Sequence, residues 1–299
     1  MPRLLILLSL LLPALAHAEP LRVFVSVLPL QGLVEQIGGE QVQADSMVLP
    51  GHSPATYNPS PRQIAALADT RLFFRVGVPF EDAWMARIRA VNPTMRVIDL
   101  RQGIALRELE QHRHGHSEHE HEDEHADADH DAVHSDGKDP HIWTDPLLTR
   151  QLIGTIRDAL AQALPAQRAL FDARHHELDQ RLLQLHQRID TLLHPYHGSR
   201  FLVFHPAWGY FAERYQLQQI AIEHEGKPIG PKSLDHLIEQ AREQQARVVF
   251  VQPQFDTRLA ARIAKAIDGK VVAIDPLAVD YFYNLLHTAQ QIAEALPHD

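Results

Sequence analysis

The sequence has no cysteine, and beyond its first twenty residues it has no apolar run long enough to cross a bilayer. The absence of thiols excludes disulfide bonds, metal sites built on thiolate sulfur and a lipid anchor on an N-terminal cysteine. Cations are also fewer than anions, since 28 Lys and Arg stand against 38 Asp and Glu, for a formal net charge of -10. This acidic balance argues against a nucleic-acid partner.

The first eighteen residues have the pattern of a cleavable secretion signal. Arg3 supplies a positive charge, residues 4–15 form an apolar stretch too short to span a membrane, and Ala16-His17-Ala18 is a small-x-small cleavage motif. We therefore expect residues 1–18 to be a signal peptide. The mature chain is expected in the periplasm, without a membrane anchor.

The rest of the chain has the apolar content of a globular protein and is long enough for two domains. Short β-branched runs alternate with helical patterns in each half, which predicts parallel sheets covered by helices. A long helix is predicted over 166–193, where Leu and Ile recur at spacings of three and four between two prolines. Shorter helices are predicted over 30–37 and 61–68. The predicted strands are 21–28, 42–49, 71–76, 96–100, 200–204, 217–222, 247–251 and 270–274.

The predicted fold is therefore α/β, with two lobes joined by one long helix. Each lobe is expected to hold a four-stranded, mainly parallel sheet flanked by helices. The N-terminal lobe is expected to comprise 19–110 and 136–164, the linking helix 165–195 and the C-terminal lobe 196–299. A rigid helix as the only connector would make large hinge motion harder than flexible strands would.

Residues 111–135 interrupt the first lobe with a histidine-rich run, in which eight histidines and eight carboxylates lie within 23 residues. Such a segment cannot form a core, so it is expected to be a disordered, solvated loop. Imidazole suits zinc, copper and nickel, which predicts weak binding of divalent metal at many places. The alternative is a merely solvated acidic linker. The HExxH match from His121 to His125 lacks the packed helix that a zinc protease needs, and it follows from composition.

Side chains of the kinds that bind metals follow three predicted strands and the histidine-rich run, and each has a proline nearby. His52 follows the second strand, and His141 follows the histidine-rich run. His205 follows the first strand of the second half, and Asp275 follows the last strand. Ligands of open α/β sheets bind outside the carboxyl ends of the strands. Three imidazoles and one carboxylate would form a closed set suited to Zn²⁺.

The sequence resembles the periplasmic solute-binding proteins of zinc and manganese ABC importers. The matching stretches cover nearly the whole mature chain: LPGHSPATYNPSP, DPHIWTDP, FHPAWGYFAERY, IEHEGKPIGP, VQPQF and VVAIDPLAVDYFYN. The resemblance implies two lobes joined by one long helix, with the metal between them, and it gives ligand roles to His141, His205 and Asp275. Manganese-preferring relatives tend to have Glu in place of His205, which favours Zn²⁺ over Mn²⁺.

One position departs from this family pattern. The family's first ligand is the His of a P-G-x-x-P-H-x-Y motif, and this chain has Ala55 there. Either His52 substitutes for that ligand, or the site keeps three protein ligands and an open or water-filled fourth position. His224 is a weaker substitute. The predicted metal ligands are His52, His141, His205 and Asp275.

The predicted function is high-affinity capture of zinc in the periplasm and delivery to the permease of an inner-membrane ABC importer. The protein is expected to be a monomer that catalyses no reaction. Two alternatives remain open. One is a zinc-dependent hydrolase that uses an open coordination position, with Glu223 or Glu225 as the base. The other is a periplasmic metal buffer or adhesin without a transporter.

Overall fold

The structure is a computed structural model. It describes residues 19–109, 137–224, 227–228, 230–243 and 246–296. The predicted signal peptide and the predicted histidine-rich loop lie outside the described residues. Within the described residues, no helix is long and apolar enough to cross a membrane.

The first lobe contains a parallel sheet and three helices. Its strands are β1 (Leu21–Val25), β2 (Val42–Ser46), β3 (Leu72–Arg75) and β4 (Arg96–Asp99), and its helices are α1 (Leu28–Gly38), α2 (Pro61–Ala66) and α3 (Pro79–Val91). The strand order is β2-β1-β3-β4. Helix α2 begins with a proline and a capping box, in which Ser60 and Gln63 bond each other's backbone amides. The four strands predicted for this half are confirmed, each slightly shorter than predicted.

Two antiparallel helices follow, α4 (Pro146–Ala163) and α5 (Arg168–Leu193). The long helix predicted over 166–193 is confirmed as α5, although its first two residues belong to a 3₁₀ turn at Pro165–Gln167. The apolar stripe of α5 is buried, which is the reason why this helix forms where the spacing predicts it.

The second lobe repeats the scheme of the first. Its elements are β5 (Arg200–Val203), α6 (Gly209–Arg214), β6 (Gln218–Ala221), the hairpin β7 (Glu223–His224) and β8 (Lys227–Pro228), α7 (Pro231–Glu243), β9 (Val248–Val251), α8 (Thr257–Ala266), β10 (Lys270–Ala273) and α9 (Tyr281–Ala295). The parallel sheet has the order β10-β9-β5-β6. Helix α9 packs against α5 and α1, so the last helix returns to the linking helix. The four strands predicted for this half are also confirmed.

Each of the two parallel sheets has a switch point, on either side of which the strand order runs in opposite directions. Strand β1 lies between β2 and β3, and β5 lies between β6 and β9. The loops that follow two such strands diverge and leave a crevice at their carboxyl ends. In the second lobe His205 follows β5 and Gln252 follows β9, so the fold places both residues at this crevice.

Buried hydrogen bonds join residues of the first half of the chain to residues of the second half. The indole Nε1–H of Trp143 donates to the carbonyl of Pro276 (2.8 Å). The Tyr281 hydroxyl donates to Thr149 Oγ1 (2.9 Å). The first bond fixes the segment before α4, where His141 lies, against the segment after β10, where Asp275 lies, and the second bond joins α4 to the start of α9.

Candidate metal centre

His141 is held by a tight turn of its own loop. The Asp139 carboxylate accepts from the backbone N–H of His141 (3.0 Å), and the same oxygen lies 2.7 Å from Nδ1 of the imidazole. Asp139 is fully buried, and the next residues, Ile142 and Trp143, are buried as well. The apolar pair anchors the loop in the core, while the carboxylate fixes both the backbone and the ring of the histidine.

His205 is held by residues that are distant in sequence. Its N–H donates to Gln252 Oε1 (3.2 Å), and its carbonyl accepts from Gln252 Nε2 (2.7 Å). This side-chain amide therefore continues the strand pairing of β5 beyond its last residue. The His205 ring stacks on Phe255, and its Nδ1 contacts the buried Glu223 carboxylate.

The two imidazoles face each other across the cleft. Nε2 of His141 lies 3.4 Å from Nε2 of His205. With zinc–nitrogen bonds of about 2.05 Å, this separation gives an N–Zn–N angle of about 112°, close to the tetrahedral value. The pair is therefore spaced for one zinc ion before any rearrangement.

The carboxylates behind the rings determine which nitrogen is available to a metal. When each Nδ1–H donates to its carboxylate, each Nε2 keeps a free lone pair, which is the arrangement that metal-binding histidines use. Burial lowers the pKa of His205, although the hydrogen bond that its ring donates to Glu223 acts in the opposite direction. Burial alone would raise the pKa of Asp139, but His141 and Arg107 outweigh it and lower that pKa below its usual value. Coordination requires the neutral imidazole, and the lowered pKa of His205 favours that form.

A small cavity lies beside the two rings, with a volume of about 20 Å³. Its wall consists of Ser53, Pro54, His141, His205, Gln252, Gln254, Phe255, Pro276 and Leu277. A void needs about 10–15 Å³ to hold one water molecule. The cavity thus admits one ion or one water molecule and is too small for an organic substrate.

Asp275 lies next to this cavity without facing it. Its Oδ1 accepts from Gln254 Nε2 and from the N–H of Leu277, both at 2.9 Å, and these two residues line the cavity. The structure therefore brings Asp275 to within one side chain of the histidine pair. The side-chain amide of Gln254 thus donates a hydrogen bond to the carboxylate that the sequence predicts as a metal ligand.

His52 does not line this cavity, although its loop reaches it. Ser53 and Pro54 line the cavity, whereas His52 is exposed and meets the edge of the Tyr57 ring at 5.6 Å between centroids. His52 lines a separate surface pocket of about 380 Å³. The structure thus brings together His141 and His205 of the four predicted ligands.

In the part of the chain that the structure describes, no group of three or more His, Asp or Glu residues surrounds a single metal position. The histidine-rich run and the side chain of His224 lie outside that part. The described centre is therefore a pair of imidazoles with a carboxylate behind each.

Four residues that support this centre are not predicted from the sequence: Asp139, Glu223, Gln252 and Gln254. A signal for Asp139 was present in DPHIW, because a carboxylate two residues before a histidine can close a turn on it. Gln252 and Gln254 stand in VQPQF, at the end of a predicted strand, but an amide there is no typical zinc ligand. For Glu223, the sequence predicts only a role as the base of a hydrolase.

The comparison with protein families gives one match over almost the whole chain. Residues 23–295 match the profile of the family described as "Zinc-uptake complex component A periplasmic". Among curated proteins, the high-affinity zinc uptake system protein ZnuA of Paracoccus denitrificans is 31% identical over 87% of this chain and 85% of its own length. A more distant relative is the manganese-binding lipoprotein MntA of Halalkalibacterium halodurans, 24% identical over 78% of this chain and 71% of its own length.

The solved structures agree with the sequence comparisons. A crystal structure of ZnuA is 34% identical, with a TM-score of 0.82, and covers 92% of this chain and 99% of that one. A deletion mutant of ZnuA with zinc bound gives 34% identity and a TM-score of 0.83, over 94% of this chain and 99% of that one. The architecture predicted from the sequence, two parallel four-stranded sheets and one long helix, is confirmed.

Proposed function

Because this chain belongs to the family of periplasmic component A proteins of zinc-uptake complexes, we propose that it captures Zn²⁺ in the periplasm and delivers it to the permease of an ABC importer. The family is one of solute-binding transport proteins. The observation that supports this function best is the His141–His205 pair, with its two Nε2 atoms 3.4 Å apart and a carboxylate behind each ring.

We propose His141 and His205 as the first two metal ligands and Asp275 as the third. Asp275 would join the ion once its carboxylate exchanges the Gln254 amide for the metal. We keep His52 as the proposed fourth ligand. It would have to leave Tyr57 and pass Ser53, whose side of the loop already lines the cavity.

The donor set supports zinc as the cargo in preference to manganese. Imidazole nitrogens bind Zn²⁺ more strongly than Mn²⁺, which prefers oxygen ligands. The small cavity gives no support to a hydrolase, because the described residues leave no space for an organic substrate at the histidine pair. A monomeric binding protein that docks on a permease remains our proposal for the partners.

Competition with a chromophoric chelator would test this function on the purified protein. We expect one tight zinc site, with Mn²⁺ bound at least a hundredfold more weakly, on the order of 2.7 kcal/mol. His141→Ala and His205→Ala should each weaken zinc binding at least tenfold. The control is His194→Ala, which removes an exposed histidine from the turn after α5. Parent-like affinity in both ligand variants would refute the assignment.

A further inference from the structure

A partly exposed arginine stands behind the carboxylate that supports His141. Arg107 Nη1 donates to Asp139 Oδ2 (3.1 Å), while Asp139 Oδ1 faces His141 Nδ1 (2.7 Å). The three side chains thus form a line, guanidinium to carboxylate to imidazole, that ends at the proposed metal position. Each oxygen of the carboxylate has its own partner, so the orientation of the group is fixed from both sides.

The guanidinium lies in a slot that only glycine permits. A Cβ added to Gly209, the first residue of α6, would lie 1.4 Å from Arg107 Nη1 and 3.0 Å from Asp139 Oδ2. The next residue, Tyr210, holds the backbone on both sides of the pair. Its hydroxyl accepts from the N–H of Arg107 (3.1 Å) and donates to the carbonyl of Asp139 (2.9 Å). Helix α6 therefore shapes a specific seat for this ion pair.

The guanidinium neutralises the charge of the buried Asp139 carboxylate, and its Nε also lies 3.4 Å from Glu213 Oε2. The same cation repels a divalent ion held by the neighbouring histidine, which acts against metal affinity. A gain for the metal centre therefore comes from geometry. The planar guanidinium holds its donors in fixed directions, so that Nη1 meets Asp139 Oδ2 while Nε faces Glu213, an arrangement that the flexible ammonium of lysine does not reproduce.

We propose that Arg107 is a positioning residue of the metal centre, which orients Asp139 so that His141 presents Nε2 to the ion. The proposal rests on the proposed function for its metal. It concerns a residue in none of the motifs that carry the family resemblance, and it acts through Asp139 without touching the ion.

The chain offers a matched control on the same surface. Arg214 pairs with the buried Asp145 through Nε and Nη2, at 2.9 and 2.7 Å. Both arginines line one surface cavity of about 470 Å³. The other oxygen of Asp145, however, accepts from the N–H of Leu147 at the start of α4 and does not bond a histidine. Arg214 therefore shares the ion pair and the location with Arg107 but lacks the connection to the metal centre.

The test compares Arg107→Met, Arg107→Lys, Gly209→Ala and Arg214→Met by zinc affinity and by unfolding temperature without metal. We expect Arg107→Met and Gly209→Ala to weaken zinc binding about tenfold, the lower end of the usual loss for support residues. Arg107→Lys keeps the charge and should still weaken binding several-fold. Arg214→Met should lower the unfolding temperature and leave zinc affinity within twofold.

An imidazole ¹⁵N spectrum of the metal-free protein provides a readout that stability alone does not change. The parent should show His141 as one tautomer with hydrogen on Nδ1, and the Arg107 and Gly209 variants should show a mixture. Unchanged zinc affinity together with an unchanged tautomer in Arg107→Met would overturn the inference, and so would tighter binding, which would mean that repulsion is the only effect. Failure of the proposed function would appear in the parent, as absent zinc binding, and the tautomer would then decide the inference alone.

Discussion

The two histidines of the centre are supported in different ways. His141 receives its carboxylate from Asp139, two residues earlier in the same turn, and that carboxylate has an arginine behind it. His205 receives its carboxylate from Glu223, eighteen residues later, and its backbone is clamped by Gln252, forty-seven residues later. One ligand is thus positioned by its local loop and the other by the packing of three strand ends. The difference teaches that a local support can be read from a motif, whereas a support assembled by the sheet requires the fold.

The largest difference is expected between the two supporting carboxylates. Asp139 Oδ1 faces both the backbone N–H and Nδ1 of His141, while Oδ2 accepts from Arg107. Asp139→Asn keeps one oxygen for these two sides, so in either orientation its NH₂ group faces a donor, which should disturb the turn that makes Nε2 of His141 available to metal. Glu223→Gln can still offer an oxygen to His205, because among the described residues no ion pair besides that with His205 reaches Glu223. We expect a loss of zinc affinity of 30-fold or more for Asp139→Asn and about tenfold for Glu223→Gln, on the order of the losses known for such supports.

Chelator competition on both variants, with unfolding temperatures measured alongside, would check this order. Equal losses in the two variants would contradict the role that we assign to the arginine behind Asp139.

Asp275 should give the next largest effect. Asp275→Ala is expected to weaken zinc binding about tenfold, or about 1.4 kcal/mol, because it removes the only carboxylate proposed as a direct ligand. Gln254→Ala should leave affinity unchanged or raise it up to threefold, because the amide competes with the metal for Asp275. Calorimetry on both variants separates a ligand from a bystander. Parent-like binding by Asp275→Ala would remove this residue from the ligand set.

The eight strands and the linking helix could be predicted because their signals are local. Alternating β-branched runs and a 3.6-residue apolar stripe require no knowledge of partners. The ends were less predictable, as at β2, predicted to continue to Leu49 but ending at Ser46. The convergence of His141 and His205 followed from strand-end rules. The bond between Gln254 and Asp275 did not, because it depends on how two loops of different strands pack.

His52 should give a smaller effect than the other ligands. Its ring must exchange its contact with Tyr57 for the metal, and this rearrangement offsets part of the binding gain. We expect His52→Ala to weaken zinc binding three- to tenfold, and Ala55→His to restore the affinity of that variant. Titration of the single and double variants side by side tests both parts. A silent His52→Ala would leave the fourth position to water.

The smallest effect on the tight site is expected from deletion of residues 110–135. No proposed ligand lies in that span, so the deletion should lower zinc stoichiometry and leave the tightest affinity unchanged. The weak sites of the full chain should empty as pH falls below about 6, since protonated imidazole cannot coordinate and its reference pKa is about 6.5. Zinc per chain measured against pH, with and without the run, gives the comparison. Excess metal retained at pH 5 would indicate a structured second site.

The cavity beside the histidine pair has a consequence for how the ion arrives. At about 20 Å³ it holds one particle of the size of a water molecule, so a hydrated cation does not fit. An ion must shed its hydration shell at the mouth of the cleft before the imidazoles can replace those waters. Magnesium dehydrates reluctantly and demands six oxygen ligands in near-octahedral geometry. Zinc must lose its waters as well, so the two ions differ in the exchange, because imidazole nitrogens replace the waters of zinc well and the oxygen ligands of magnesium poorly.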